Sequence, residues 1–252
     1  MALEPGKYTD EEKEYMIKIH DGMRKMILDR KPHIKEYYKA RKLHSSIMGS
    51  MLSYYEKGQF KPEIDMKGMA KARLTDTENL IDREITFDLA TTQGMHVMAE
   101  LFVFKFIPYA SCITEEYIKK KRFRTAEKQE FLQCMMDSSS GLFELVDTDE
   151  LEGRVTLRNV LTNEEQTIVD IGLSNPFGHS DFVFFARIIT YRGISFNTGL
   201  AIPFRPDDEY MLKQIRRMKK EPNRTMSGLF LDLYTHYKKA RDKIELQINE
   251  FR

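Results

Sequence analysis

Tryptophan is absent from the 252 residues, cysteine occurs twice, and glycine and proline are sparse at 13 and 8. So few cysteines exclude a disulfide scaffold, and so little glycine and proline excludes collagen-like and low-complexity chains. Long hydrophobic runs are missing too. The longest apolar passage, Met95 to Ala110, is broken by Glu100, Lys105 and Pro108, and nothing reaches the roughly 18 apolar residues a membrane helix needs. The opening MALEPGKYTDEEKEYM lacks the basic head, apolar run and cleavage site of a secretory signal, so a cytoplasmic protein is expected, with no membrane partner. Charge of one sign is not in excess either. The 40 lysines and arginines face 39 aspartates and glutamates, a formal net charge of +1, so no global field draws in nucleic acid.

Catalytic signatures are equally scarce. The chain has no G-x-S-x-G, no G-x-x-x-x-G-K-[ST], no G-x-G-x-x-G, no H-E-x-x-H and no C-x-x-C. Its six histidines, His20, His33, His44, His96, His179 and His236, include no pair at the i, i+4 spacing that puts two ring nitrogens on one metal. Cys112 and Cys134 read as reduced, partly buried hydrophobes. No catalytic residue, metal or cofactor is therefore assigned from sequence.

What is present is a change of period near residue 137. Before it, apolar residues recur at helical spacing. Thr9 followed by Glu12 is a capping box, and Tyr15, Met16, Ile19, Met23, Met26 and Ile27 form a stripe, so a first helix runs to about Asp29. A second helix restarts at Pro32 and stops before Gly58. A short helix from Ile64 to Arg73, an irregular passage to Ile85 and an apolar helix from Leu89 to Phe106 follow, with Thr114 and Thr125 capping two more. The Met and Tyr stripes of the first two helices read as core, with a plastic surface for partner helices as the alternative.

From Gly141 the pattern is that of short strands, at 142–147, 153–160, 166–172, 182–191 and 194–202, separated by turn residues. Five such strands predict an antiparallel meander closed into a small barrel, SH3-like or OB-like. The strand from Phe182 to Ile189 is apolar on both alternating faces, so its outer side requires cover, most cheaply from the helices of the same chain. Residues 137 to 205 carry ten acids, five arginines and no lysine, whereas the flanking helices are net basic, which favours docking of helices on barrel. After Pro206, Asp207 caps one helix, and a last amphipathic helix follows to the end.

The expected architecture is thus α+β: a helical region at 1–137, a five-stranded small antiparallel β-barrel at 138–205, and a C-terminal helical pair at 206–252 packed back on the body. The expected role is a non-enzymatic protein-interaction or adaptor module with a protein partner or self-association. A dimer is favoured through the seam of Phe230, Leu233, Tyr237, Ile244, Ile248 and Phe251. The alternative is a nucleic-acid-associated regulator using two basic runs, Lys119, Lys120, Lys121, Arg122 and Arg124, and Lys213 to Arg224 with Arg216 and Arg217. A third is an enzyme with scattered site residues. The acidic turn of Asp147, Asp149, Glu150 and Glu152 reads as a solvated turn before a cation site, and Ser138-Ser139-Ser140-Gly141 as a linker and cap before an anion site. A helix-turn-helix drawn through Met66 to Ile85 fails, because acids occupy its would-be recognition helix.

Overall fold

The computed structural model describes residues 9–57, 63–64, 69–76, 81–88, 91–104, 112–120, 125–175, 182–221 and 223–250. Helix α1 spans Asp10–Leu28 and opens with the expected capping box: the Thr9 hydroxyl accepts from the Glu12 amide, and the Glu12 carboxylate accepts from the Thr9 amide at 2.8 Å. Pro32 starts α2 (Pro32–Lys57), where its missing N–H costs nothing.

The first correction comes next. The stretch expected to hold a short helix and an irregular passage is a three-stranded antiparallel sheet, β1 (Glu63–Ile64), β2 (Met69–Asp76) and β3 (Ile81–Asp88). In Ile81–Asp88 the apolar Ile81, Ile85 and Phe87 fall on one parity while Asp82, Glu84 and Asp88 fall on the other, a period of two. The β2–β3 ladder runs unbroken from Met69 opposite Asp88 to Asp76 opposite Ile81. The apolar helix that follows is also not one piece: α3 (Thr92–Met98) passes into a π-helical turn at Ala99–Val103 and ends at Phe104, which is extended. Thr114 lies inside α4 (Ile113–Lys120) instead of capping it, and its hydroxyl donates to the Val103 carbonyl at 2.6 Å. Helix α5 is Ala126–Asp137, after Thr125.

The five expected strands are present as β4 (Ser139–Asp149), β5 (Arg154–Asn159), β6 (Glu165–Val169), β7 (Val183–Tyr191) and β8 (Ile194–Phe204), all antiparallel, in the order β6-β5-β4-β7-β8. They do not close, so the expected small barrel, SH3-like or OB-like, is corrected to an open sheet. Edge strands β6 and β8 come within 8 Å between Cα atoms but form no ladder. Pro203 sits in β8, where an edge tolerates its missing donor. Closure is replaced by cover. Along β4 and β7, Leu142, Val183, Phe185 and Ile189 join the main core with α2, α5 and α7 (Met226–Glu250), while Phe143, Phe184, Ala186 and Ile188 join a second core with Val155, Leu157 and Ile168. Two-sided burial of an antiparallel sheet is what the apolar run from Phe182 to Ile189 demands. Helix α6 (Glu209–Lys220) is capped by Asp208, one residue later than expected, whose carboxylate accepts from the Met211 amide at 2.8 Å. Helices α6 and α7 are tied by Arg224, which donates to Gln214 at 2.5 Å and to the Asp232 carboxylate.

Candidate functional site

Two features stand out from the packed body, and the first is the direction α1 faces. Arg24 is buried on its inner side, donating from Nε to the Glu150 carbonyl at 2.9 Å and from Nη2 to the Ile171 carbonyl at 3.0 Å and the Ser174 hydroxyl at 2.5 Å. Leu28, one turn on, seats with Ile34 and Val169 in a small separate core. The apolar stripe points the other way: Tyr15 is 66%, Ile19 44%, Met23 55%, Met26 63% and Ile27 40% exposed. An amphipathic helix is thus held to its body by a guanidinium and by Leu28 while the stripe of five apolar residues stands in water, the reverse of the usual arrangement.

The second feature is a pocket where two backbone irregularities meet. The β7–β8 register slips so that Thr198, Gly199 and Leu200 of β8 lie across from Arg187 alone. Facing this bulge, the π-helical turn presents Glu100. Arg187 and Glu100, 4% and 1% exposed in their side chains, form a two-point ion pair, Nε to Oε2 at 2.7 Å and Nη2 to Oε1 at 2.8 Å. Arg187 Nη1 also donates to the Ser138 carbonyl at 2.8 Å and to its hydroxyl at 3.0 Å, and the guanidinium lies 4.7 Å from the centre of the Phe104 ring. Both π-turns and bulges re-aim side chains and recur beside functional sites.

Above this clamp lies a cavity of about 320 Å³ between α2, α3 with its π-turn, and the β8 bulge. Arg41, His44, Ser45 and Met48 come from one face of α2 at helical spacing, His96 from α3, and Thr198 from the bulge. The bulge seats two of them. Arg41 Nη1 donates to the Asn197 carbonyl at 2.7 Å, and Gly199, at φ +110°, leaves room for the His96 ring, since a Cβ there would stand 2.8 Å from its Cε1 and Nε2. Burial first, then the Arg41 charge, pushes the His96 imidazole down. The same two causes, with His96 as a third, push His44 down to about 4. His44 is 7% exposed, and its buried Nε2 has no hydrogen-bond partner among the described residues. No carboxylate lines the cavity among the described residues; outside the lining, the Arg41 charge opposes the upward push that burial gives the Asp170 carboxyl.

The residues singled out from sequence lie elsewhere. Lys119 and Lys120 are exposed on α4 and pair with Glu115 and Glu116, while Lys121, Arg122 and Arg124 fall outside the described residues. Arg216 and Arg217 are exposed on α6, with Arg217 bonded to Glu221. Among the described residues of the two runs, Lys119, Lys120 and Arg217 thus pair with acids one helical turn away, and Arg224 with Asp232 of α7. Phe230 and Leu233 are buried in this chain's own core and Tyr237 is half-buried; the side chains of Ile244 and Ile248 and all of Phe251 lie outside the described residues. The acidic turn anchors helices: Glu152 pairs with Lys31, its backbone carbonyl meets His33 Nε2 at 2.8 Å, and Asp149 Oδ1 accepts the Leu151 and Glu152 amides. Ser138 and Ser140 serve Arg187, with Ser140 at a long 3.4 Å, and Cys112 and Cys134 are not joined in a disulfide. His44 and His96 were missed because their meeting is tertiary; the one available signal was a glycine, Gly199, inside a strand pattern, which marks a bulge.

A family model described as a family of unknown function, DUF7986, matches residues 31–247, and the chain belongs to that family. No curated protein matches. No solved structure matches. Every lining residue of the pocket falls inside the matched stretch, and α1 precedes it.

Proposed function

We propose that this member of a family of unknown function works by protein association, with the outward face of α1 as the docking surface and a second copy of the chain, antiparallel, as its occupant. The observation that carries the reading is the exposure of Tyr15, Ile19, Met23, Met26 and Ile27 in one stripe on a helix whose other side is already fastened. The charges on the helix support an antiparallel mate. Its first turns carry Asp10, Glu11, Glu12 and Glu14 against Lys13, while its end carries Lys25 and then Arg30 against Asp29, so reversing one copy sets the acidic end beside the basic end. Burying a Met or Ile side chain stabilises by about 1.5–3 kcal/mol, but five such residues cover less than the ~800 Å² per partner of a standard interface. The association is therefore weak, in the micromolar range.

Nucleic acid draws less support, because Lys119, Lys120 and Arg217 are already paired with acids of their own helices. A catalytic reading of the pocket lacks a carboxylate or thiol among the described lining residues and rests on histidines held neutral.

Sedimentation equilibrium across a concentration series tests the dimer. The wild type is expected to shift from monomer to dimer, and Ile19→Glu with Met23→Glu to remain monomeric with an unchanged melting temperature. A wild type that stays monomeric throughout overturns the reading. A melting temperature lowered by the double variant with no change in mass overturns it too, since the stripe would then be covered by its own chain.

A further inference from the structure

The pocket and α1 share no residue, so an inference from the one stands or falls without the other. From the pocket we infer that this protein has a binding site for a small organic acid, a monoanionic carboxylate carrying a compact hydrocarbon or aromatic body, whose carboxylate is received by Arg41 beside His96 and whose body lies among Met48, Met95 and Phe104.

Charge selects the headgroup. Arg41 is the permanent cation of the lining, no carboxylate shares that lining among the described residues, and the carboxyl its charge acts on, Asp170, lies outside it. A single Nη1 bond to the Asn197 carbonyl and the Phe196 ring, 5.8 Å from the guanidinium carbon, hold it in place, which leaves N–H donors of its planar fork without an acceptor among the described residues. That fork matches a carboxylate two-point contact. A dianion fits less well, because the two histidines that would supply further charge are held neutral by burial and by Arg41 itself. Neutral imidazoles still donate one hydrogen bond each, and His44 keeps a buried nitrogen with no partner among the described residues, a cost of about 1–3 kcal/mol. Thr198, itself buried, adds a hydroxyl to the lining.

Size and walls select the body. About 320 Å³ is the volume of roughly ten water molecules, enough for a benzoate or a six-carbon acid and small for a nucleotide. The apolar part of the lining is methionine, alanine and phenylalanine, and thioether side chains shape themselves around a flat or a branched apolar group. The site is built on fixed elements: Gly199 gives His96 its place, and the bulge that carries Gly199 lies across from the Arg187 clamped by Glu100.

Titration calorimetry of the full chain with benzoate and hexanoate, beside benzamide and inorganic phosphate, tests the assignment. The acids are expected to bind one per chain and to raise the melting temperature, with benzamide at least tenfold weaker and phosphate without effect. Arg41→Gln should weaken benzoate by about 10- to 100-fold, the worth of a charge-assisted hydrogen bond. Because Arg41 also touches β8, a second variant is needed. Gly49 lies at the pocket with nothing within 4 Å of an added Cβ, so Gly49→Leu should abolish benzoate binding while leaving the melting temperature of the free protein unchanged or raised. Failure of every acid to bind, equal binding of benzamide, binding of phosphate in place of the acids, or benzoate binding that survives Gly49→Leu would each overturn the inference.

Discussion

His44 shows how much one position can bind stability to solution conditions. Its imidazole packs near the Phe131 and Phe196 rings and beside Arg41 and His96, and burial first of all pushes it from 6.5 down to about 4. Between those values the unfolded chain takes up a proton that the folded chain refuses. The contribution is therefore complete above pH 6.5 and is lost as pH falls toward 4, on the order of 3 kcal/mol over that window, with His96 shifted in the same direction. Urea unfolding at pH 7.5 and pH 5 is expected to show a marked loss of stability at the lower pH, and His44→Gln to flatten it. A pH slope that His44→Gln leaves intact would assign the effect elsewhere. At this scale the sequence was legible wherever a side chain meets its own neighbours: the Thr9–Glu12 box could be read outright. It was silent on His44, whose surroundings come from α3, α5 and β8 as well as from its own helix.

Among the elements, the π-turn and the β8 bulge stand as a pair because Glu100 and Arg187 join them. Inside a core, such an ion pair contributes little compared with an apolar replacement of both partners, but removing one partner strands the other's charge. Glu100→Ala is accordingly expected to cost about 3–5 kcal/mol in chemical denaturation. Replacing Glu100 and Arg187 together with Leu and Met should cost clearly less than the single change. If the double variant is as unstable as Glu100→Ala, the clamp acts through packing and not through charge. The hairpin of β2 and β3 was misread for a related reason. Lys71, Ala72, Arg73 and Leu74 fit a helix as well as a strand, and the choice fell to pairing with residues 81–88, which local propensity does not weigh. Helix α1 was read correctly as an element and wrongly in its orientation. A stripe of Tyr15, Ile19, Met23 and Met26 at helical spacing normally faces inward; here the opposite side of the helix is the one fastened, by the bonds of Arg24, the Asp21–Asn175 bond and the seat of Leu28.

For the whole molecule, the open sheet has a consequence of its own. Its strands bury residues on both faces, and one of those faces belongs to the core shared with α2, α5 and α7. Residues 138–205 alone would expose Leu142, Phe185, Ile189, Phe196 and Ile202, all buried in the full chain. Expressed without the helices, that segment is expected to aggregate or remain unfolded, and dispersed amide resonances from a soluble monomer would show instead that the sheet is an independent unit.

The sequence by itself determined the elements whose signals are local: the capped and amphipathic helices, the five strands with their turns, and the need to cover both faces of Phe182 to Ile189. Periodicity, caps and turn chemistry act over a few residues, so they survive in one dimension. Tertiary structure alone decided that the sheet stays open, that α1 turns its apolar stripe outward, and that Arg41, His44, His96 and Thr198 share one cavity. Each of these depends on which distant surfaces meet, and the energies that select between meetings, burial of area and pairing of buried charge, are set by neighbours that no short window of sequence contains.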